Sequence, residues 1–168
     1  MLPVAYAQKS NRTSSTTGWR MSRISQVLHA KGSDVVTASS DTKVSDLLEL
    51  LVGRNIGAVV VTGDGTVDGE VIGIVSERDV VNRVHGRGGE LLATPVSEIM
   101  STEVVSCAPE DEVDNLMRTM TERRIRHLPV VVDGKLLGIV SIGDMVKARI
   151  GELEAERDHL HQYLAAGS

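Results

Sequence analysis

Two short stretches carry the residue types best suited to chemistry, Gly73-Ile74-Val75-Ser76-Glu77-Arg78-Asp79 and, 65 positions later, Gly138-Ile139-Val140-Ser141-Ile142-Gly143-Asp144. In each, a glycine and β-branched residues read as a short buried strand, and a serine with an aspartate three residues on opens a helix. A serine at such a junction sets its hydroxyl and free backbone N–H groups beside the positive end of the helix dipole, where an anion such as phosphate is favoured. An aspartate one turn in can accept two hydrogen bonds from a vicinal diol, the use an acidic residue has in dinucleotide folds. The same Ser-x-x-Asp spacing is close to a capping box, in which each side chain satisfies a helix-end N–H and touches no ligand. Both readings stay open on spacing alone.

The elements that position these residues are themselves repeated. Val35-Val36 begins a strand; Asp41 or Thr42 can cap a helix with Val44, Leu47, Leu48 and Leu51 at helical spacing, ending near Gly53. Ala58 to Val61 reads as a buried strand, Gly63-Asp64-Gly65 as a turn, Val71 to Val75 as the next strand and Glu77 to Val84 as a helix stopped by Gly86, Gly88 and Gly89. Val104-Val105, the helix with Val113, Leu116, Met117 and Met120, and Asp133-Gly134 repeat this order at an offset of 69. The offset falls to 65 at the Gly-Ile-Val-Ser segments because the loop Gly63 to Glu70 is four residues longer than its counterpart. Each half is β-α-β-β-α with a sheet too small to bury both faces alone, so the halves must pack on each other. A duplicated unit pairs about a pseudo-twofold axis and leaves two related clefts.

The expected organisation is a disordered tail or extension over 1–20, a first repeat with a leading helix over 21–94, a second repeat over 95–147, and a C-terminal helix over 148–168. The leading helix carries Ile24, Val27 and Leu28 on one face and ends at Gly32. The last helix carries Val146, Ile150, Leu153, Leu160 and Leu164 on a heptad-like row that Arg157 interrupts, which suits packing on its own domain or pairing with a second subunit.

Composition narrows the function. At 168 residues and 41% hydrophobic the chain can bury one ordinary core, which must be aliphatic because Trp19, Tyr6 and Tyr163 are its only aromatics. So few aromatics argue against base stacking on single strands, and a formal charge of −5 argues against a phosphate-backbone binder. Nucleic acid is therefore not expected as a partner. Cys107 is the only cysteine, which excludes an internal disulfide and fits a reducing, cytoplasmic setting. No apolar run approaches the roughly 18 residues that span a bilayer, so no membrane partner is expected. The five histidines show no metal-ligand spacing, and no nucleophile has an assigned base.

The repeat pair, with Arg126-His127-Leu128-Pro129-Val130 in its second half, resembles the tandem CBS-domain module, a two-repeat regulatory unit that in many proteins binds adenine nucleotides. The resemblance covers about residues 22–146, and the GIVSERDVV and GIVSIGDMV strings are similar to those of stand-alone bacterial members. It implies an α+β fold, two β-α-β-β-α repeats about a pseudo-twofold axis with a long C-terminal helix. It also implies phosphate and ribose roles for Ser76 and Asp79 in one cleft and for Ser141 and Asp144 in the other. Adenine would lie near Val36, Thr37, Gly57 and Ala58, and near Val105, Ser106, Arg126 and His127. Basic residues gather only in Arg123, Arg124, Arg126 and His127, so the cleft of Ser141, Asp144 and Arg126 is expected to take the more highly charged ligand. Cys107 falls where the family's strand faces the cleft, which sets a redox role beside that of an inert buried thiol.

The function implied is a non-enzymatic sensor that binds an adenosine-containing ligand, AMP first and ATP or NADH after it, requires no cofactor, forms a homodimer and regulates a protein partner. The alternative is a structural dimerisation or stress-response protein with unoccupied clefts.

Overall fold

The computed structural model describes residues 5–6 and 22–166. The first repeat forms as its pattern predicts. Strand β2 (Thr37–Ser39) runs parallel to β3 (Ala58–Thr62), and β3 pairs antiparallel with β4 (Val71–Ser76), Ala58 opposite Ser76. All five residues of β3 are buried, whereas β4 alternates between buried and half-buried, as an outer strand with one covered face should. Helix α2 (Val44–Arg54) buries Val44, Leu47 and Leu51, and α3 (Glu77–Arg87) follows β4 directly.

The second repeat has the same parts. Strand β5 (Val105–Ser106) is joined to β6 (His127–Val132) through a parallel bridge from Cys107 to Val130. Strand β6 pairs antiparallel with β7 (Lys135–Ser141), His127 opposite Ser141. Asp133 and Gly134, at φ of 50° and 78°, make the tight two-residue hairpin between them. Helix α4 (Val113–Arg123) buries Val113, Leu116 and Met120, and α5 (Ile142–Ala166) is 25 residues long.

Three local details differ from expectation. The N-cap of α2 is Lys43 rather than Asp41 or Thr42, because a backbone bridge from Lys43 to Pro95 fixes where the helix starts. That helix ends at Asn55, in the left-handed region at φ 51°, and α4 ends likewise at Arg124, φ 55°, so Gly53 is not the stop. Asn tolerates this conformation better than most residues. Of the tail, Ala5–Tyr6 form a strand, β1, parallel to Val105–Ser106 of β5, where a disordered segment was expected. The remainder of 1–20 lies outside the described residues.

Packing departs from chain order in one large respect. Helix α1 (Ile24–Lys31) forms as its apolar face and Gly32 predict, but Ile24 and Val27 are buried among Val113, Leu116, Met120, Leu128 and Met145 of the second repeat. Conversely the segment before the second repeat, with Leu91, Val96 and Ile99, is buried among Val44, Leu47, Val59 and Val75 of the first. Each leading segment crosses to the other half. The boundary at 94/95 therefore divides the chain but not the cores, and the leading helix belongs with the second repeat. Backbone bonds fix the exchange: Ile24 N–H to Asp111 O at 3.0 Å and Val113 N–H to Ser22 O at 3.0 Å on one side, Val44 N–H to Thr94 O at 3.0 Å and Val96 N–H to Thr42 O at 2.8 Å on the other.

A third apolar cluster joins the halves. It places Val60, Val71, Val35 and Ile74 against Val104, Leu136, Val131 and Ile139, and the repeat offsets make Val35 equivalent to Val104, Val71 to Leu136 and Ile74 to Ile139. The two sheets thus meet face to face, and the ends of their middle strands are brought together at the centre.

Candidate functional site

Both Ser-x-x-Asp junctions are built alike. Ser76 donates through its N–H (2.8 Å) and Oγ (2.6 Å) to Asp79 Oδ2, and Ser141 does so to Asp144 Oδ2 at 2.8 Å in both cases. The capping arrangement is therefore made twice. Each helix start is also tied to the middle strand beside it, by Glu77 N–H to Gly57 O at 3.2 Å and Ile142 N–H to Arg126 O at 2.9 Å.

What surrounds the two junctions differs. Beside Ser76 and Asp79 lies a cavity of about 190 Å³ whose other walls are Gly57, Ala58, Ile74, Glu77 and Arg78 of the first repeat. Its far side comes from the second: Ser101, Glu103, Val105, and the run Arg124, Ile125, Arg126 and His127. An adjoining cavity of about 320 Å³ shares Arg78, Arg124, Ile125 and Arg126 and adds Met120, Thr121 and Ile142. Small-molecule sites usually enclose about 300–1,000 Å³. The inner cavity alone is below that range, and the two together are within it.

Gly57 packs closely against His127. A Cβ there would stand 3.1 Å from His127 Cε1 and 3.2 Å from Nε2, so the imidazole lies where a side chain would be. Burial holds the His127 pKa below the usual 6.5, helped by the positive charges of Lys31 and Arg126 and opposed by Asp144 and Glu77. The ring is a neutral hydrogen-bonding group at pH 7 unless an anion arrives. Arg78 is drawn toward the second repeat by a bond from its Nη1 to Arg124 O at 3.0 Å.

Of the residues expected in the site, Ser76, Asp79, Gly57, Ala58, Val105, Arg126 and His127 share this one cavity. Arg126 is accordingly beside Ser76 and Asp79, not in a cleft with Ser141 and Asp144 as expected. The reason is the pseudo-twofold: Ser76 and Asp79 are faced by the start of the second repeat's middle strand, Arg126 and His127, as well as by Gly57 and Ala58 of their own. Val36 packs against the first repeat's core, and Thr37 Oγ1 donates to Gly65 O at 2.7 Å, holding the long hairpin loop. Ser106, 2% exposed, lines a separate groove with Glu70, Glu110 and Asp133 at the hairpin end.

Glu77, Arg78, Ser101 and Glu103 are cavity residues that sequence reasoning did not single out. Arg78 stands in the first turn of α3, and Ser101 and Glu103 lie on the crossing segment, whose destination no local pattern reveals. Cys107 does not face the cleft. It is fully buried in the second repeat's core, and burial, with the charge of Asp111, pushes its thiol up to about 12. A thiol held protonated and buried in a core is of the unreactive kind.

Two β-α-β-β-α units exchanging their leading segments around one central cleft define a known arrangement, and the family description "CBS domain" matches residues 26–86 and 96–151. The chain belongs to the CBS-domain family. A mitochondrial CBS domain-containing protein of Arabidopsis thaliana is 33% identical over 90% of this chain and 76% of its own length. The crystal structure of a CBS-domain protein from Agrobacterium tumefaciens, 44% identical, superposes with a TM-score of 0.71 over 76% of this chain and 92% of that one. A CBS-domain pair crystallised with 5′-methylthioadenosine and S-adenosyl-L-methionine shares the fold, with a TM-score of 0.69 over 79% of this chain and 99% of its own, at 21% identity. Among the described residues no helix is long and apolar enough to cross a membrane.

Proposed function

We propose that the chain is a non-catalytic regulatory module that binds an adenosine-containing nucleotide, with AMP as the leading candidate, in the cleft of Ser76, Asp79, Arg126 and His127. One observation carries this reading: a diol acceptor and a helix start from one repeat converge with basic residues of the other in a single cavity. Asp79 Oδ2 is engaged by Ser76, and its other oxygen has no hydrogen-bond partner among the described residues, so it can receive a ribose hydroxyl. Arg78, Arg124 and Arg126 stand between the inner and the adjoining cavity, where the phosphate of a ligand whose base and sugar fill the inner space would emerge. Because the walls come from both repeats, a ligand stabilises their mutual arrangement, and a partner that senses that arrangement is regulated by it.

The row Val146, Ile150, Leu153, Leu160 and Leu164 on α5, each 41–69% exposed, supports a homodimer through that helix. A structural reading with unoccupied clefts draws on a different fact, that Ser76 and Asp79 satisfy each other without a ligand.

Thermal melting against AMP, ADP, ATP, NADH and S-adenosylmethionine separates the two. A ligand at 100 times its dissociation constant adds about 2.7 kcal/mol to stability, which raises the melting temperature by roughly 5–11 °C for a chain of this size. A rise of this order with one of them supports sensing. No rise with any at millimolar concentration would leave the structural reading standing.

A further inference from the structure

The second junction is already occupied by the chain itself. In the first cleft the Ile74 backbone is paired with that of Ser101, by N–H to O bonds of 3.0 and 2.9 Å, and Asp79 faces open space. At the equivalent place in the second, Ile139 O accepts a hydrogen bond of 3.1 Å from Lys31 Nζ. The same ammonium reaches Asp144 Oδ2 at 2.6 Å. That oxygen thus has three donors, Ser141 N–H, Ser141 Oγ and Lys31 Nζ, where Asp79 Oδ2 has two.

Lys31 is the last residue of α1, and the helix is seated so that it cannot easily withdraw. Its Ile24 and Val27 are buried in the second repeat's core. Its Leu28 covers Gly138, where an added Cβ would come within 2.6 Å of Leu28 Cδ2 and would push that side chain aside. The pair is half-buried, at 35% and 24% side-chain exposure, which shields it from solvent more than a free surface pair. Ser141 and Asp144 line neither cavity of the first cleft.

We propose that Lys31 is a specificity-determining residue that closes the second cleft, so that each chain takes one nucleotide, beside Ser76 and Asp79, instead of two. The proposal rests on the nucleotide reading above. It assigns the inequality of the clefts to an internal cation in one of them as much as to the arginines in the other.

Equilibrium dialysis with AMP, run on the full chain and on D79A, D144A, K31M and K31M/D144A variants, tests it. Methionine keeps the length and apolar stem of Lys31 and removes the charge. The expected result is one AMP per chain in the wild type, kept in D144A and weakened on the order of tenfold or more in D79A. A second AMP should appear in K31M and disappear in K31M/D144A. Two AMP per wild-type chain, a single site lost in D144A but kept in D79A, or one AMP in K31M would each overturn the proposal while leaving nucleotide binding intact. Absence of AMP from every variant would overturn the nucleotide reading and the one-site count with it. A ligand-free measurement accompanies these: acylation of Lys31 by an amine reagent should be at least about tenfold slower in the wild type than in D144N, since a paired ammonium must be freed before it reacts. Equal rates would show that Lys31 does not hold the cleft.

Discussion

Replacement of Ile24 by alanine is expected to lower the unfolding free energy by about 2–5 kcal/mol and the melting temperature by roughly 4–20 °C. A residue in an eight-residue leading helix would ordinarily be tolerant of change. Here its side chain is fully buried against Leu116, Met120, Leu128 and Met145, and truncation leaves a cavity between α1 and the second repeat. The backbone of the same residue donates to Asp111, so α1 cannot slide to close the gap without breaking that bond. His29 on the same helix is exposed, and H29A should change stability by no more than about 0.5 kcal/mol. Equal, small effects of both substitutions in urea melts would show that α1 is an appendage and that the crossed packing is not a stabilising feature.

Asp79→Ala is the second large effect, and it concerns the ligand. A hydrogen bond to a charged acceptor contributes about 1.5–3 kcal/mol, so loss of one ribose contact should weaken AMP binding by on the order of 10–100-fold. The substitution also removes the acceptor of Ser76 N–H and Oγ, a capping interaction that stabilises by about 1 kcal/mol. That loss leaves the protein folded, and binding and stability can be read separately. Asp144→Ala removes the matching cap with its Lys31 ion pair and should leave AMP affinity unchanged. If D144A abolished binding and D79A did not, the assignment of the ligand to the cleft with Arg126 and His127 would be wrong.

The parts of this architecture legible in the sequence are those set by neighbours in the chain. The strand of Gly73 to Ser76 and the helix after it follow from β-branched residues meeting a Ser-x-x-Asp cap, and the hairpin at Asp133-Gly134 follows from turn chemistry. The two cores follow from apolar residues at helical spacing in α2 and α4. Duplication let the fold be read further than single motifs allow, because a short sheet repeated twice can bury its second face only on its twin.

What was not legible depends on contacts across the pseudo-twofold. Nothing local to Ile24 or Val96 states that each packs on the opposite repeat, and the apolar face of α1 is the same whichever core receives it. The site inherits this ambiguity. Arg126 precedes the middle strand of the repeat that holds Ser141, and chain order assigned it there, but its side chain lines the cavity of Ser76. Lys31 gave no signal at all. A lysine ending a helix beside a glycine reads as a favourable dipole partner, and only the crossing of α1 over β7 brings it to Asp144.

The cleft between the repeats, on the side of Ser76 and Asp79, is expected to receive an adenine nucleotide. This is tested most directly by titrating AMP into the isotope-labelled chain and following backbone amide resonances. Saturable shifts are expected to gather at Gly57 and Ala58, at Ser76 to Asp79 and at Arg124 to His127, with those of Ile142 to Asp144 smaller. Shifts centred on Ser141 and Asp144, or on the groove of Glu70, Glu110 and Asp133, or no saturable shifts at millimolar AMP, would contradict it.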